Sequence, residues 1–124
     1  MIVGNVSSNL EALVRLSIRG PQSEIETKAV LDTGFNGALA LPPHLIGELG
    51  LRLKTRGSAA LADGTEISLD IYEAMISWNG RLLRVLVGAA DNDPLLGMAL
   101  LYGHELALQV VEGGEVLIKE LGSS

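Results

Sequence analysis

The feature of this sequence that most constrains its fold is the close spacing of turn signals between short apolar runs. Asp63-Gly64 and Asn79-Gly80 are dipeptides that two-residue β-hairpin loops prefer. Gly20-Pro21 is also a turn signal that ends the strand before it. Turn signals recur about every ten residues, which is typical of all-β domains and too close for β-α-β units. The sequence therefore predicts an all-β barrel or sandwich.

Alternation of apolar and polar side chains locates the strands between these turns. Val14, Leu16 and Ile18, for example, alternate with polar residues, as expected for a half-buried strand. The predicted strands are residues 10–18, 24–31, 38–41, 54–62, 65–70, 72–78, 81–87, 105–111 and 115–121. The first two should form a hairpin. A short helix is predicted over 43–50, ending at Gly50, and one helical turn over 98–102.

Length and composition set broad limits on the class of protein. The 124 residues suit a single domain, residues 1–124. Nearly half of them are apolar but few are aromatic, so the core must be built from Leu, Ile, Val and Ala. No apolar stretch approaches the roughly 20 residues that span a bilayer, and the first residues do not resemble a signal peptide. We therefore expect a cytoplasmic protein without membrane contact.

Charge and side-chain chemistry exclude several other classes. The net charge is −6 and the cations are scattered, so no basic surface for nucleic acid is expected. There is no cysteine, which excludes disulfides and thiolate catalysis. His44 and His104 are too isolated to suggest a metal site. Both are expected on the surface, and neither a metal nor a cofactor is predicted.

The most informative segment is the apolar run Ala29-Val30-Leu31, which leads directly into Asp32. Alternation stops there, so this end of the strand should be the most buried part of the hairpin. A carboxylate leaving a buried strand needs hydrogen-bond donors. The Thr33 hydroxyl and the Gly34 N–H are the nearest candidates.

Asp-Thr-Gly is a weak motif when it is taken alone. Average residue usage produces it by chance in about one chain in fifty of this length. Acid-glycine sequences also favour turns, so a simple turn after a strand is the favoured interpretation of the tripeptide by itself. The apolar strand before it and the motifs after it shift the balance towards a functional carboxylate.

The ordered set of motifs resembles the retropepsin-like aspartic proteases. The matching segments are residues 30–34 (Val-Leu-Asp-Thr-Gly), the Asp63-Gly64 hairpin, and residues 95–97 (Leu-Leu-Gly). The resemblance covers most of the chain and is closest to small microbial members whose motif reads Asp-Thr-Gly-Phe. It implies a closed barrel of short strands with a flap hairpin and one or two short helices.

The resemblance also implies a reaction, the hydrolysis of peptide bonds in an extended polypeptide. In this family two aspartates share one proton around a water molecule, and Asp32 would be one of them. The chain holds only one Asp-Thr-Gly, and none of its other acids repeats that context. A second copy must then supply the other aspartate, so the resemblance implies a homodimer with Asp32 beside the partner's Asp32.

Further site residues follow from the same resemblance. Thr33 would hydrogen-bond across the dimer and Gly34 would present its carbonyl to the substrate. The remaining substrate-binding positions are two beside the acid and three at the flap tip: Phe35, Asn36, Ala62, Asp63 and Gly64. Phe35 replaces a small residue found in viral members, which implies a narrower pocket.

Two other interpretations stay open on the sequence alone. The same fold could serve as a catalytically silent module that dimerises or binds peptides. The chain could also be an unrelated small β-barrel in which Asp32 is an ordinary turn residue.

Overall fold

The strands and helices closely follow the turn signals of the sequence. The computed structural model describes residues 1–60, 63–91 and 93–122. Its elements are β1 (Ile2–Val6), β2 (Ala12–Arg19), β3 (Glu24–Leu31), β4 (Leu39–Leu41), α1 (Pro43–Leu49), β5 (Arg52–Ala60), β6 (Glu66–Trp78), β7 (Arg81–Ala89), β8 (Leu95–Leu96), α2 (Met98–Leu101), β9 (His104–Leu108) and β10 (Glu115–Glu120). The all-β prediction is confirmed. No helix within the described ranges has the length and apolarity needed to cross a bilayer.

The sheet closes on itself to form a barrel. Its strand order is β5-β6-β7-β4-β8-β3-β2-β1-β10-β9, and β6 also pairs with β2. The second pairing joins six strands (β2, β3, β8, β4, β7 and β6) into a ring. β1, β10 and β9 continue the sheet beyond β2, while β5 continues it beyond β6. The predicted closed barrel of short strands is thus confirmed.

The core fills this ring and extends to β1, β10 and α2, and it consists almost entirely of aliphatic side chains, as the composition predicts. Its most completely buried large members come from five strands of the ring, from α1 and from β10: Val14, Ile18, Leu39, Leu41, Leu49, Ile76, Val87, Leu96, Val116 and Ile118. No polar or charged residue in the described part of the chain is fully buried. Burial of apolar area, at about 25 cal/mol per Å², is therefore the main source of stability.

Two local predictions are confirmed in detail. Asn79 and Gly80 both have positive φ, 52° and 75°, between the paired residues Trp78 and Arg81. This is the backbone of a two-residue hairpin loop of the type that Asn-Gly favours. At the end of α1, Gly50 takes the left-handed conformation with φ of 68°, and its N–H caps the helix.

The Asp63-Gly64 hairpin differs from its prediction. The last pair of β5 and β6 is Ala60 with Glu66, so the connection is five residues long rather than two. Gly64 has a positive φ of 88°, but Asp63 does not. The reason is that Asp63 accepts hydrogen bonds from Thr65, which builds a side-chain turn in place of a tight backbone turn.

β5 and β6 form a two-stranded arm that extends past the barrel. β6 pairs with β7 only from Ile71 onwards, while its earlier residues pair with β5 alone. The two predicted strands over 65–70 and 72–78 are thus one continuous strand. We call residues 55–60 and 63–70 the flap arm. Nearly all of its described side chains are exposed. The predicted flap hairpin is therefore present.

The first strand, β1, was not predicted, because glycine and asparagine interrupt its alternation. β1 pairs with β2 and also with β10. A side chain at Gly4 would place its Cβ 2.0 Å from the Leu13 carbonyl oxygen, so the close strand contact requires glycine there. The predicted strand over 105–111 is also displaced, since β9 ends at Leu108 and the chain then turns.

Candidate active site

Asp32 is held by the backbone at the point where β3 ends against β8. These two strands are parallel, with Val30 opposite Leu95 and Leu31 opposite Leu96. The Asp32 N–H donates to the Leu96 carbonyl oxygen at 2.9 Å, continuing the ladder by one residue. The backbone of the candidate acid is therefore fixed by the Leu-Leu segment that the sequence analysis grouped with it.

Among the described residues, the carboxylate of Asp32 has one backbone hydrogen-bond donor. The Gly34 N–H lies 2.9 Å from Asp32 Oδ1, and the Phe35 N–H donates to the Asp32 carbonyl oxygen at 3.1 Å. The predicted Gly34 donor is thus present. The other expected donor, the Thr33 hydroxyl, makes no hydrogen bond within the described residues and is exposed. Within the described ranges only one oxygen of the carboxylate, Oδ1, accepts a hydrogen bond.

Residues 32–38, the Asp32 loop, are closed by hydrogen bonds from the segment after β8. The Gly97 N–H donates to the Ala38 carbonyl oxygen at 3.0 Å, and the Met98 N–H donates to the Phe35 carbonyl oxygen at 2.8 Å. The Ala99 N–H donates to Gly37 at 3.2 Å. β8 therefore lies between β3 and β4. The start of α2 is hydrogen-bonded to the loop that joins β3 to β4.

Gly97 allows the start of α2 to approach the Asp32 loop closely enough to form these hydrogen bonds. A Cβ at this position would lie 2.3 Å from the Gly37 carbonyl oxygen and 2.6 Å from the Phe35 carbonyl oxygen. Real Cβ atoms do not approach backbone oxygens so closely. The glycine of the Leu-Leu-Gly segment thus has a specific steric role beneath Asp32.

The strand that leads to Asp32 is less buried than the sequence predicts. Ala29 is fully buried, but Val30, Leu31 and Asp32 are each only partly buried. The reason is that Val30 and Asp32 line an open cavity of about 800 Å³. The apolar run therefore contains one residue that faces the core, Ala29, and one that lines the cavity, Val30.

Sequence analysis missed the other residues that share this cavity with Asp32. Three of them are acidic and one is a histidine: Glu11, Asp91, Asp93 and His44. The two aspartates come shortly before β8, so their sequence distance from Leu95 could have indicated the placement. Nothing in the local sequence singles out Glu11. The carboxylates give this side of Asp32 a negative electrostatic potential.

An apolar groove of about 600 Å³ lies on another side of the Asp32 loop. Phe35 and Gly37 form part of one wall, and Thr55 and Leu69 of the flap arm form part of another. The loop that carries the candidate acid and the base of the flap arm therefore enclose a common groove. The Phe35 ring also packs against Gly37, where an added Cβ would lie 2.6 Å from it.

The tip of the flap arm carries two of the three residues predicted there. Asp63 and Gly64 lie in the exposed turn, while Ala62 lies outside the described residues. Asn36, the other predicted substrate contact, is exposed on the Asp32 loop. The hydroxyl and backbone N–H of Thr65 lie 2.7 and 3.0 Å from Asp63 Oδ1. The hydroxyl is the main cause of a pKa of Asp63 below its usual value.

This turn gives a prediction for the flap tip. Replacing Thr65 with valine removes the hydroxyl donor and leaves the backbone donor, so the pKa of Asp63 should rise towards its ordinary value. Titration of the Asp63 carboxyl carbon by NMR measures the change. A Thr27→Val variant on β3 is the control, since it removes a hydroxyl that does not contact Asp63. An unchanged Asp63 titration in the Thr65 variant would contradict the assignment.

No protein-family model and no curated protein matches the sequence. Among solved structures, a retropepsin-like aspartic protease from Rickettsia conorii aligns with a TM-score of 0.59 and 16% identity, over 95% of this chain and 89% of that one. EIAV protease, in complex with the inhibitor HBY-793, aligns with a TM-score of 0.56 and 17% identity, over 73% of this chain and 85% of that one. Similarity at this level of identity concerns the fold, and the chain has the fold of the retropepsin-like aspartic proteases.

Proposed function

We propose that this protein is an aspartic endopeptidase that hydrolyses peptide bonds through a water molecule activated by Asp32. The observation that carries the proposal is the position of Asp32. It directly follows β3, its N–H is hydrogen-bonded to Leu96 of β8, and it lines an open cavity in a fold shared with aspartic proteases.

The chemistry requires a second carboxylate beside Asp32. One carboxylate accepts a proton from the attacking water, and the other donates a proton to the carbonyl oxygen of the scissile bond. Two carboxylates a few ångströms apart share one proton, because both cannot be ionised at that distance. The pair therefore contains one base and one acid at the same pH.

A homodimer supplies that second carboxylate in the proposal. The chain has one Asp-Thr-Gly, and a two-fold axis would place Asp32 next to the partner's Asp32. The free side of the Asp32 carboxylate and the exposed Thr33 hydroxyl are consistent with contacts that only a partner would make. In this arrangement Thr33 bonds across the axis and stabilises the two Asp32 loops.

The substrate in the proposal is an extended polypeptide. The flap arm and the Asp32 loop enclose a groove, and an extended chain lying in it could pair with exposed backbone as an added strand. Gly34 and Asn36 are exposed on the loop side, and Asp63 and Gly64 are exposed at the arm tip. Phe35 makes the groove apolar next to the acid.

The test is cleavage of an unfolded polypeptide between about pH 4 and 7, measured over a range of enzyme concentrations. Because each active site needs two chains, the rate per chain should fall on dilution below the dissociation constant of the dimer. The order in total protein should then rise from about one towards about two. Fluorescence of Trp78, the single tryptophan, checks that the diluted chain stays folded. A constant rate per chain in a monomeric sample would contradict the shared site.

A further inference from the structure

We infer that the open cavity lined by Asp32, here called the Asp32 cavity, selects polypeptides that carry a lysine or arginine side chain. Glu11 and Asp93 are the specificity-determining residues in this inference. It deepens the proposed function and rests on it, because it assigns the cavity to an extended polypeptide whose cationic side chain enters beside Asp32.

Unpaired carboxylates set the charge of the Asp32 cavity. Glu11, Asp91 and Asp93 share it with Asp32, and its described lining includes neither lysine nor arginine. None of these acids forms an ion pair within residues 1–60, 63–91 and 93–122, whereas several acids on the strands are paired with arginine or lysine. Unpaired like charges repel one another and attract a cation. The charge that the cavity lacks is therefore a positive one.

The rest of the lining is largely apolar. Val30 and Leu95, which are paired across β3 and β8, contribute one apolar patch, and Pro42 and Pro43 contribute another. Lysine and arginine have an apolar stem and a charged head, so they lay the stem on apolar surface and place the head among acids. A lining of both kinds is complementary to these side chains. A glutamate side chain would be repelled there.

The spacing of the carboxylates favours an organic cation over a metal ion. No group of three or more acids and histidines in the described part of the chain is arranged to hold a metal. A metal ion needs several oxygens at about 2.0–2.6 Å at the same time. A flexible cationic side chain needs only to reach one carboxylate within the cavity, whose volume is about 800 Å³. The ligand that fits is thus a cation on a long stem.

Backbone hydrogen bonds hold two of these acids beside β3. Asp93 precedes Pro94, whose carbonyl oxygen accepts from the Val30 N–H at 2.8 Å. Glu11 lies between β1 and β2, where the Ser7 N–H donates to its carbonyl oxygen at 2.9 Å and its own N–H donates to Ser7 Oγ at 3.2 Å. β8 and β2 flank β3 on its two sides. The two acids are therefore fixed near the strand that leads to the candidate acid.

The two histidines of the chain differ in their relation to this cavity. His44 is exposed, as predicted, and lines it. His104, which the sequence predicted to be a surface residue, is partly buried against Trp78, with its Nε2 3.3 Å from the indole nitrogen. His44 is thus the one lining side chain among the described residues that can become positively charged. Binding is therefore best measured at about pH 7.5, where an ordinary imidazole is mostly neutral.

Peptide binding to the Asp32→Asn protein measures the preference without cleavage. The probes are labelled, unstructured peptides of about ten residues, long enough to add as a strand. They have apolar residues around one central position that holds lysine, glutamine or glutamate. In fluorescence anisotropy at low salt, the lysine peptide should bind roughly tenfold more tightly than the glutamine peptide, and the glutamate peptide should bind most weakly. Salt at about 1 M should remove most of this preference.

Two double variants made in the same protein locate the preference. Glu11→Gln/Asp93→Asn removes two charges from the cavity and keeps the side-chain shapes, so the ratio of lysine to glutamine affinity should fall towards about one. Glu48→Gln/Glu112→Gln removes two exposed acids that do not line the cavity, and its ratio should stay at roughly ten. The Glu11 and Asp93 side chains make no hydrogen bond or ion pair among the described residues, so the cavity variant should fold.

Reversal of one charge supplies a further measurement. Asp93→Lys places a cation in the cavity and should turn the preference from the lysine peptide to the glutamate peptide. Loss of all peptide binding together with a changed Trp78 emission would show that this variant is misfolded. The pair of amide variants then decides the inference alone.

The outcomes separate this inference from the proposed function. A lysine preference that is lost in the cavity variant and kept in the control variant supports the inference, whether or not the natural chain cleaves polypeptide. Equal binding of the lysine and glutamine peptides, binding of neither, or the same loss in both double variants would overturn it. Cleavage by the natural chain without a lysine preference would leave the proposed function standing. A preference in binding without any cleavage would overturn the proposed function and leave the charge selection of the cavity.

Discussion

The Asp32→Asn variant should lose cleavage by roughly 10³-fold or more while its fold and its dimer remain intact. Asparagine keeps the size of the side chain and an oxygen that can accept from the Gly34 N–H, so the Asp32 loop should keep its conformation. The amide cannot take the proton of the water, and two such amides cannot share a proton as the two carboxylates do. The measurement is the cleavage rate of an unfolded polypeptide, with sedimentation equilibrium on the same sample.

Glu48→Gln provides the matched control for this loss. It replaces another carboxylate by an amide, on α1, where Glu48 is exposed and does not line the cavity beside Asp32. Its cleavage rate should equal that of the natural chain. Loss of activity in both variants would point to a general effect of charge and would contradict a specific role of Asp32.

Mixing the two forms separates a shared site from an independent one. With a roughly tenfold excess of the Asp32→Asn variant, most natural chains enter mixed dimers, and activity per natural chain should fall about tenfold. If each chain had its own complete site, activity per natural chain would not change. Cleavage by the Asp32→Asn variant itself would contradict the mechanism. Peptide binding by the natural chain without any cleavage would instead favour a silent binding module.

Much of this fold could be predicted because its turns depend on local chemistry. Asn79-Gly80 and Gly50 need a left-handed backbone that few other residues adopt, so their conformations follow directly from sequence. Asp63 was harder to interpret, because its side chain competes with the backbone for the Thr65 N–H. β1 could not be predicted by alternation, since it is defined by its two neighbouring strands rather than by its own pattern.

The candidate site could be predicted only in part, because some of its contacts are local in sequence and others depend on the whole barrel. Asp32 and Gly34 are neighbours in sequence, and their hydrogen bond is local. The approach of Asp91 and Asp93 to Asp32 depends on β8 passing between β3 and β4, which is a property of the whole barrel. The expected burial of Val30 failed for the same reason, because the cavity that it lines is formed by distant segments.

Gly97→Ala should destabilise the protein by about 2–4 kcal/mol, a large effect for the addition of one methyl group. The methyl carbon would lie 2.3 Å from the Gly37 carbonyl oxygen and 2.6 Å from the Phe35 carbonyl oxygen. These oxygens accept the N–H groups of Ala99 and Met98, so they cannot move without breaking the bonds that close the Asp32 loop. The clash should therefore displace the loop as well as reduce stability.

Urea unfolding monitored by Trp78 fluorescence measures this loss, and Gly57→Ala on β5 is its matched control. No atom lies within 4 Å of a Cβ built at Gly57, and its φ is not in the left-handed region. Alanine there should be neutral or stabilising by up to about 1 kcal/mol, because it restricts the unfolded chain. In the Gly97 variant, cleavage per folded molecule should also fall, since Asp32 follows its loop. A Gly97→Ala protein as stable as Gly57→Ala would show that the loop adjusts without cost, and the steric role assigned to the Leu-Leu-Gly segment would then be wrong.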